Sequence, residues 1–175
     1  MNPKKILTPE QIRAKIDLRT TEGNRCVRLL ERESGEKTFL RLYDDYQIFP
    51  SESEITAALK RMVMTLPTIG FLSGHGERET DRPGDRNYCM FTHLPMMRQA
   101  LVNQGFDYKD VTLDKEIPAE INILVIAEMR EPMTDVEKVN FDKYVARGGN
   151  LVIIGEPGRQ GVMAPVLEPF GVKLV

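Results

Sequence analysis

The sequence predicts an α/β fold in which helices cover a doubly wound, mostly parallel sheet. Three short apolar runs, at residues 68–72 (TIGFL), 123–127 (ILVIA) and 151–154 (LVII), are separated by stretches with helical periodicity. The runs are continuous rather than alternating, which is typical of strands buried on both faces of a parallel sheet. With right-handed crossovers, the predicted order β-α-β-β-α-β-α gives a flavodoxin-like sheet.

Length and composition limit the class of protein. The 175 residues are enough for one domain, or a small domain with an appended segment. The net charge of −2 gives no excess of basic side chains, so nucleic acid is not an expected partner. No apolar run reaches the roughly 18 residues of a membrane span, and residues 1–5 lack the apolar core of a signal peptide.

The first part of the chain, residues 1–64, is predicted to be an arm, a β-hairpin and a helix. The arm extends to about Thr21 and contains a possible helical turn at Pro9–Arg13. The β-prone runs 26–30 (CVRLL) and 38–43 (TFLRLY) flank the turn sequence SGEK, which predicts a hairpin.

The helix of this first part is predicted from about Glu52 to Met64. Ser51 is its expected N-cap, with Glu54 placed to complete a capping box. One apolar face is expected to comprise Ile55, Ala58, Leu59 and Met62.

Residues 65–175 are predicted to form the flavodoxin-like domain. One helix is expected from about Pro95 to Gln104, closed by Gly105, and a weak strand at Asp110–Leu113. A second helix is expected from about Thr134 to Arg147, with Thr134 as N-cap, Glu137 at its third position and Gly148–Gly149 closing it. The side chains expected to face the sheet are Val136, Val139, Tyr144 and Val145. The last residues, 170–175 (FGVKLV), read as the start of a further strand, as if the chain were part of a longer protein.

Ligands of open α/β sheets bind beyond the carboxyl ends of the strands, where the strand order reverses. The loop after the first long strand supplies Ser73, Gly74, His75, Gly76 and Glu77, in which glycines permit tight turns and His75 could be a base, an acid or a ligand. The simpler interpretation is that His75 only holds the loop. The loops after the other two long strands add Glu128 and Glu156, which completes the candidate ligand-binding loop residues.

Several enzyme and metal sites are not expected. The glycines match neither a P-loop nor a dinucleotide fingerprint, and residues 155–161 contain no Ser or Cys for a nucleophile elbow. The spacing of Glu77, Asp81 and Asp85 is not that of a calcium loop, and arginines interleave them in the long charged segment 78–92. Neither a metal nor a cofactor is therefore predicted. Cys26 and Cys89 lack metal-ligand spacing and could be paired or free.

Four blocks of sequence carry a resemblance to a known family. They are TIGFLSGHGE at 68–77, ILVIAEMREPMT at 123–134, YVARGGNLVIIGEPG at 144–158 and, upstream, SESEITAAL at 51–59. Together they resemble the extracytoplasmic auxiliary domain of ABC-type transport systems, the group that includes the gliding-motility ABC-transporter auxiliary component. The charged segment from about Glu79 to Asn87 looks longer than in that family.

This resemblance implies a class I glutamine amidotransferase-like fold without the catalytic Cys. It implies anchoring by transmembrane helices outside this chain, on the extracytoplasmic (periplasmic) face of the cytoplasmic membrane. The partners it implies are an ABC permease and its ATPase.

Three functional hypotheses follow. The first is a non-catalytic binding or coupling domain of a transport system. The second is a hydrolase or transferase using His75 with Glu77 or Glu156. The third is a small-molecule or glycan-binding module that holds an anion on the amides of Gly74, His75 and Gly76.

Overall fold

A four-stranded parallel sheet and a separate β-hairpin form the framework of the protein. The structure is a computed structural model that describes residues 6–16, 27–43 and 45–175. In chain order its elements are α1 (Pro9–Arg13), β1 (Val27–Glu31), β2 (Lys37–Arg41), α2 (Glu52–Val63), β3 (Thr68–Leu72), α3 (Cys89–Thr92), β4 (Asp107–Val111), β5 (Ile121–Ala127), α4 (Asp135–Ala146), β6 (Asn150–Ile154) and α5 (Gln160–Leu167), with 3₁₀ turns at Leu101–Asn103 and Glu168–Phe170.

The strand order β4-β3-β5-β6 confirms the predicted flavodoxin-like α/β fold. From β3 the chain moves first to β4 on one side, then to β5 and β6 on the other. The order therefore reverses between β3 and β5, where a crevice opens at the carboxyl ends of the strands. All five residues of β3 are buried, as its continuous apolar run predicts.

The main core lies on the sheet face that α4 and α5 cover. Leu124 and Ile126 point into it from β5, and they meet Phe141 and Tyr144 of α4 and Met163 of α5. All five side chains are almost completely buried. A second, smaller cluster on the opposite face contains Ile69, Phe71 and Leu101.

The elements before the sheet follow local sequence signals. Strands β1 and β2 pair antiparallel from Val27↔Arg41 to Glu31↔Lys37, which confirms the hairpin. The predicted capping box of α2 is present, with Ser51 and Glu54 satisfying each other's backbone N–H groups. Cys26 and the end of the predicted arm lie outside the described residues. The division into parts 1–64 and 65–175 stays a prediction.

The predicted apolar face of α2 is partly wrong. Ala58 is buried and Met62 half-buried, but Ile55 and Leu59 are exposed, and Glu54 and Ala57 are buried instead. The reason is tertiary: Glu54 pairs with Arg98, and Ala57 packs against Gly105, so the helix is rotated toward these partners.

The predicted helix at 95–104 is also wrong. The structure has the short α3 before it, turns over residues 95–100, and the 3₁₀ turn Leu101–Asn103. Asn103 donates from its side chain to the carbonyls of Pro95 and Met97, and Gln104 donates to that of Arg98. These side chains satisfy carbonyl groups that a regular helix would pair with backbone N–H groups. The strand that follows is at Asp107–Val111, three residues earlier than predicted.

Helix α4 has its predicted caps, Thr134 with Glu137 at the start and Gly148 with φ 82° at the end, but a different buried face. Tyr144 is buried as predicted and Val145 half-buried, whereas Val136 and Val139 are exposed and Phe141 takes the central position.

The last predicted elements differ in two respects. Strand β6 was expected to be buried on both faces, but Val152 and Ile154 are largely exposed because α4 and α5 cover only the other face. Residues 170–175 contain no strand. Leu174 instead packs against the core beside Gly155.

Candidate functional site

The crevice at the switch point is lined by the loops that follow β3, β5 and β6, together with the start of α4. These loops carry every candidate residue predicted from the sequence. The crevice contains a cleft of about 640 Å³, within the size range of small-molecule sites. Its lining residues are Gly76, Glu77, Arg78, Glu79, Arg82, Pro83, Gly84, Asp85, Arg86, Asn87, Glu128 and Arg130.

His75 is buried between two carboxylates. Its Nδ1 lies 3.1 Å from Oε1 of Glu77, and its Nε2 lies 3.3 Å from Oε1 of Glu137 in α4. The second contact is within ion-pair distance but lacks regular hydrogen-bond geometry, which leaves Nε2 without a hydrogen-bond partner among the described residues. The pKa of Glu137 is lowered mainly by hydrogen bonds from Thr134, with a smaller effect of His75. His75 thus connects the loop after β3 to the helix after β5.

The backbone N–H and carbonyl groups of His75 are also hydrogen-bonded within the protein. The N–H of His75 donates to Oε2 of Glu77 at 2.7 Å, and its carbonyl accepts from the N–H groups of Arg130 and Glu131. Gly74 and Gly76 have φ of 120° and 76°, and a Cβ at Gly76 would approach Arg130 to 3.2 Å. The two glycines are therefore needed for the turn and for its close contact with the next loop. The backbone N–H of His75 is therefore already bonded to a carboxylate of the protein itself, that of Glu77.

Glu128 has an unusual backbone at the centre of the crevice. It is the one non-glycine residue with positive φ in the described part of the chain, at 58°. Its N–H donates to the carbonyl of Ile154, so the β5–β6 ladder extends through it while the chain turns away. Strain of this kind costs about 1–2 kcal/mol and is often found at functional sites.

The carboxylate of Glu128 forms an ion pair with Arg78 and is close to Glu156. The guanidinium of Arg78 donates to Glu128 in a short contact, which is the main reason that the pKa of Glu128 is lowered. The same ion pair raises the pKa of Arg78, whose guanidinium lies 5.8 Å from the ring centre of Tyr88. The negative charge of Glu156 also favours the charged form of Arg78.

The predicted site residues therefore separate into two groups. His75 and Glu77 belong with Glu137, whereas Glu128 and Glu156 belong with Arg78. Ser73 belongs to neither, because its hydroxyl donates to the carbonyl of Val111. In the described part of the chain, no hydrogen bond or ion pair joins His75 to Glu128 or Glu156.

Sequence reasoning did not identify Arg78 and Glu137 as part of the site. Glu137 was predicted only as the capping residue of α4, and Arg78 only as part of a solvated charged segment. No local signal distinguishes Arg78 from Arg82 and Arg86, since only the fold shows which arginine reaches Glu128.

Two further features of the described residues concern metals and membranes. No cluster of three or more His, Cys, Asp or Glu side chains there could hold a metal ion. None of the helices described is long and apolar enough to cross a membrane.

The fold and crevice define a doubly wound α/β domain whose switch point is occupied by ion pairs of its own side chains. The family described as ABC-type uncharacterized transport system matches residues 66–166, more than half of the chain. The protein belongs to this family, which confirms the resemblance given by the four sequence blocks. No curated protein and no solved structure gives a significant match.

Proposed function

We propose that the protein is a non-catalytic, extracytoplasmic domain of an auxiliary component of an ABC transport system, with a binding or coupling role. The family membership carries this proposal. The matched residues, 66–166, begin just before β3 and include the whole crevice and most of α5. The family match therefore covers the sheet with its switch point.

The geometry of the crevice supports a role without catalysis. A general base or nucleophile must reach a substrate atom at hydrogen-bond distance. His75 is only 4% exposed and lies between Glu77 and Glu137, and the Ser73 hydroxyl is directed at a backbone carbonyl. The hydrolase hypothesis uses His75 with Glu77 or Glu156. Glu77 does contact His75, but both side chains are almost completely buried, and Glu156 belongs to the other group of contacts.

The proposed partners are the permease and ATPase subunits of the transporter, reached through transmembrane helices outside this chain. The experiment is affinity purification of the full-length gene product from membranes solubilised in mild detergent. We expect both subunits to co-purify. Recovery of the protein without either subunit, under conditions that keep permease and ATPase together, would contradict the proposal.

The extracytoplasmic location has its own test. A variant without Cys26 and Cys89 and with Glu116→Cys, at a well-exposed position, has one thiol for labelling within residues 1–175. A membrane-impermeant maleimide should label it in intact cells when the outer barrier, if present, is permeabilised. Labelling only after complete lysis would place the domain on the cytoplasmic side.

A second candidate function is binding of a small anionic molecule in the cleft. Of the four arginines that line it, Arg78 is paired with Glu128 and Arg82 with Glu79. Arg86 and Arg130 form no ion pair with the described residues and are available to an anion, while Glu77 and Asp85 complete a lining of four arginines and four carboxylates.

Thermal-shift measurements with small dicarboxylates and sugar phosphates test this candidate. A ligand that raises the unfolding temperature should lose its effect in Arg130→Gln and keep it in Arg13→Gln, a matched change in helix α1 outside the cleft. An equal shift in both variants would exclude the cleft as the binding site.

A further inference from the structure

A second group of reactive side chains lies around α3, outside the crevice contacts described above. The sulfur of Cys89 is 3.8 Å from Nε2 of His93, within hydrogen-bonding range for sulfur. On the other side of the same ring, Nδ1 lies 3.8 Å from Oδ1 of Asp81. Cys89 and His93 are four residues apart at the two ends of one helical turn, which brings their side chains onto one face.

The hydrogen bonds of Thr92 determine which nitrogen of His93 carries the proton. The Thr92 hydroxyl has one hydrogen, and it lies close to the backbone carbonyls of Tyr88, Thr80 and Cys89, at 2.9, 3.1 and 3.3 Å. The hydroxyl can donate only once, and the Tyr88 carbonyl is the nearest acceptor around it, so we assign the donation to that carbonyl. Its oxygen is then the acceptor for Nδ1 of His93, 3.1 Å away.

The neutral His93 ring is therefore protonated at Nδ1 and has its lone pair at Nε2, facing the Cys89 sulfur. The carboxylate of Asp81 is a second partner for the same Nδ1–H, at longer range. The His93 ring is also stacked on Tyr108, with ring centres 5.5 Å apart and planes 11° from parallel. The imidazole is thus oriented from three sides, with its acceptor nitrogen toward the thiol.

The thiol itself is available for reaction. Cys89 is a free cysteine and is half-buried rather than enclosed. A thiol becomes a nucleophile when a neighbouring base accepts its proton. We infer that Cys89 is a reactive thiol, with His93 as its proton acceptor, and that it forms a mixed disulfide with low-molecular-weight disulfides.

The thiol–disulfide exchange needs no group other than Cys89, His93 and the small disulfide. The Cys89 proton moves to Nε2 of His93, and the thiolate attacks one sulfur of the small disulfide. A new sulfur–sulfur bond to Cys89 forms as the original one breaks, and the departing thiolate takes the proton from the imidazolium. One thiol and one disulfide are consumed, and one of each is produced.

The test uses the full chain with Cys26→Ser, so that Cys89 is the remaining thiol. The probe is 4,4′-dithiodipyridine, a small disulfide whose released thiopyridone is followed by absorbance near neutral pH. We expect the folded protein to react faster than the same protein unfolded in guanidinium at the same pH. Slower reaction in the folded state would overturn the inference, and this comparison needs no change at His93.

The role of His93 is tested by His93→Gln in the same background, which should slow the reaction about tenfold. The matched control is Met90→Gln, which changes an exposed neighbour of Cys89 and leaves the ring in place, and it should react at the parent rate. Equal rates in His93→Gln and the parent would show that His93 does not activate the thiol. Far-UV circular dichroism shows that each variant is folded before its rate is interpreted.

Discussion

Two adjacent glycines, Gly148 and Gly149, show how differently the fold uses identical residues. Both end α4, and the sequence predicts the same helix-closing role for them. Gly148 has φ 82° and open space around it. A Cβ at Gly149 would lie only 2.3 Å from the ring of Tyr144, which is buried and donates to the carbonyl of Asn150.

Gly149→Ala is therefore predicted to lower the free energy of unfolding by about 2 kcal/mol, because the buried ring must move. The matched change Gly148→Asn should cost only a few tenths of a kcal/mol, since asparagine tolerates the left-handed conformation. Urea denaturation measures both. A larger loss for Gly148→Asn than for Gly149→Ala would contradict the packing at Tyr144.

The ion pair of Glu128 with Arg78 predicts a pH dependence. Its folded pKa is lowered below the unfolded value of about 4.3, so the stabilisation is present above that value. It is lost as the pH falls through the lowered folded pKa. Glu128→Gln should be less stable than the wild type by about 1 kcal/mol at pH 7, and the difference should shrink below about pH 4.

Chemical denaturation at several pH values measures this difference. The control is Glu79→Gln, which removes a carboxylate of an exposed ion pair with Arg82 and should change little at any pH. A pH-independent gap for Glu128→Gln would mean that the ion pair with Arg78 is not the source of the stabilisation.

At the scale of elements, helix α4 begins and ends where its caps predict, but the face that it buries differs from the predicted one. Phe141 is completely buried in the main core, whereas Val139 is 55% exposed. Phe141→Ala is predicted to cost about 4 kcal/mol in unfolding free energy, and Val139→Ala no more than about 0.5 kcal/mol. Thermal and urea unfolding of the two variants, which both shorten an apolar side chain, give the comparison. Similar losses would indicate that the helix is rotated from the orientation described.

At the scale of the whole molecule, Arg98 joins the N-terminal elements to the sheet domain. Its guanidinium donates to Glu54 of α2 at 2.6 Å and to Asp45 at 2.6 and 2.8 Å, and its charge lies 4.6 Å from the ring of Tyr43. Glu54 is only 3% exposed, so removal of Arg98 would leave a buried carboxylate without its partner.

Arg98→Ala is accordingly predicted to lower the unfolding free energy by about 3 kcal/mol. Arg82→Ala, which removes an arginine from an exposed ion pair, should cost no more than about 0.5 kcal/mol. Limited proteolysis adds a structural readout: cleavage between 45 and 64 should accelerate in Arg98→Ala alone. Unchanged proteolysis and stability would show that Arg98 does not hold the two parts together.

Local chemistry made much of this architecture predictable from the sequence. Continuous apolar runs place β3 and β5 in the sheet because a buried strand needs apolar side chains on both faces. The capping boxes at Ser51 and Thr134 fix where α2 and α4 begin, since the residues that satisfy the helix ends are three positions apart. The candidate loops were found for the same reason: they follow directly from the strands.

Only the tertiary structure decided which faces are buried and which charges meet. Ile55 and Val139 look like core residues, yet Glu54 and Phe141 are buried because Arg98 and the sheet lie opposite them. Nothing in the spacing links Arg78 to Glu128, fifty residues away, or makes His75 a neighbour of Glu137. The sequence by itself determined the strands of the sheet, the capped helices and the family, because those signals lie within a few residues of one another. The site depends on contacts between distant segments, which exist only once the chain is folded.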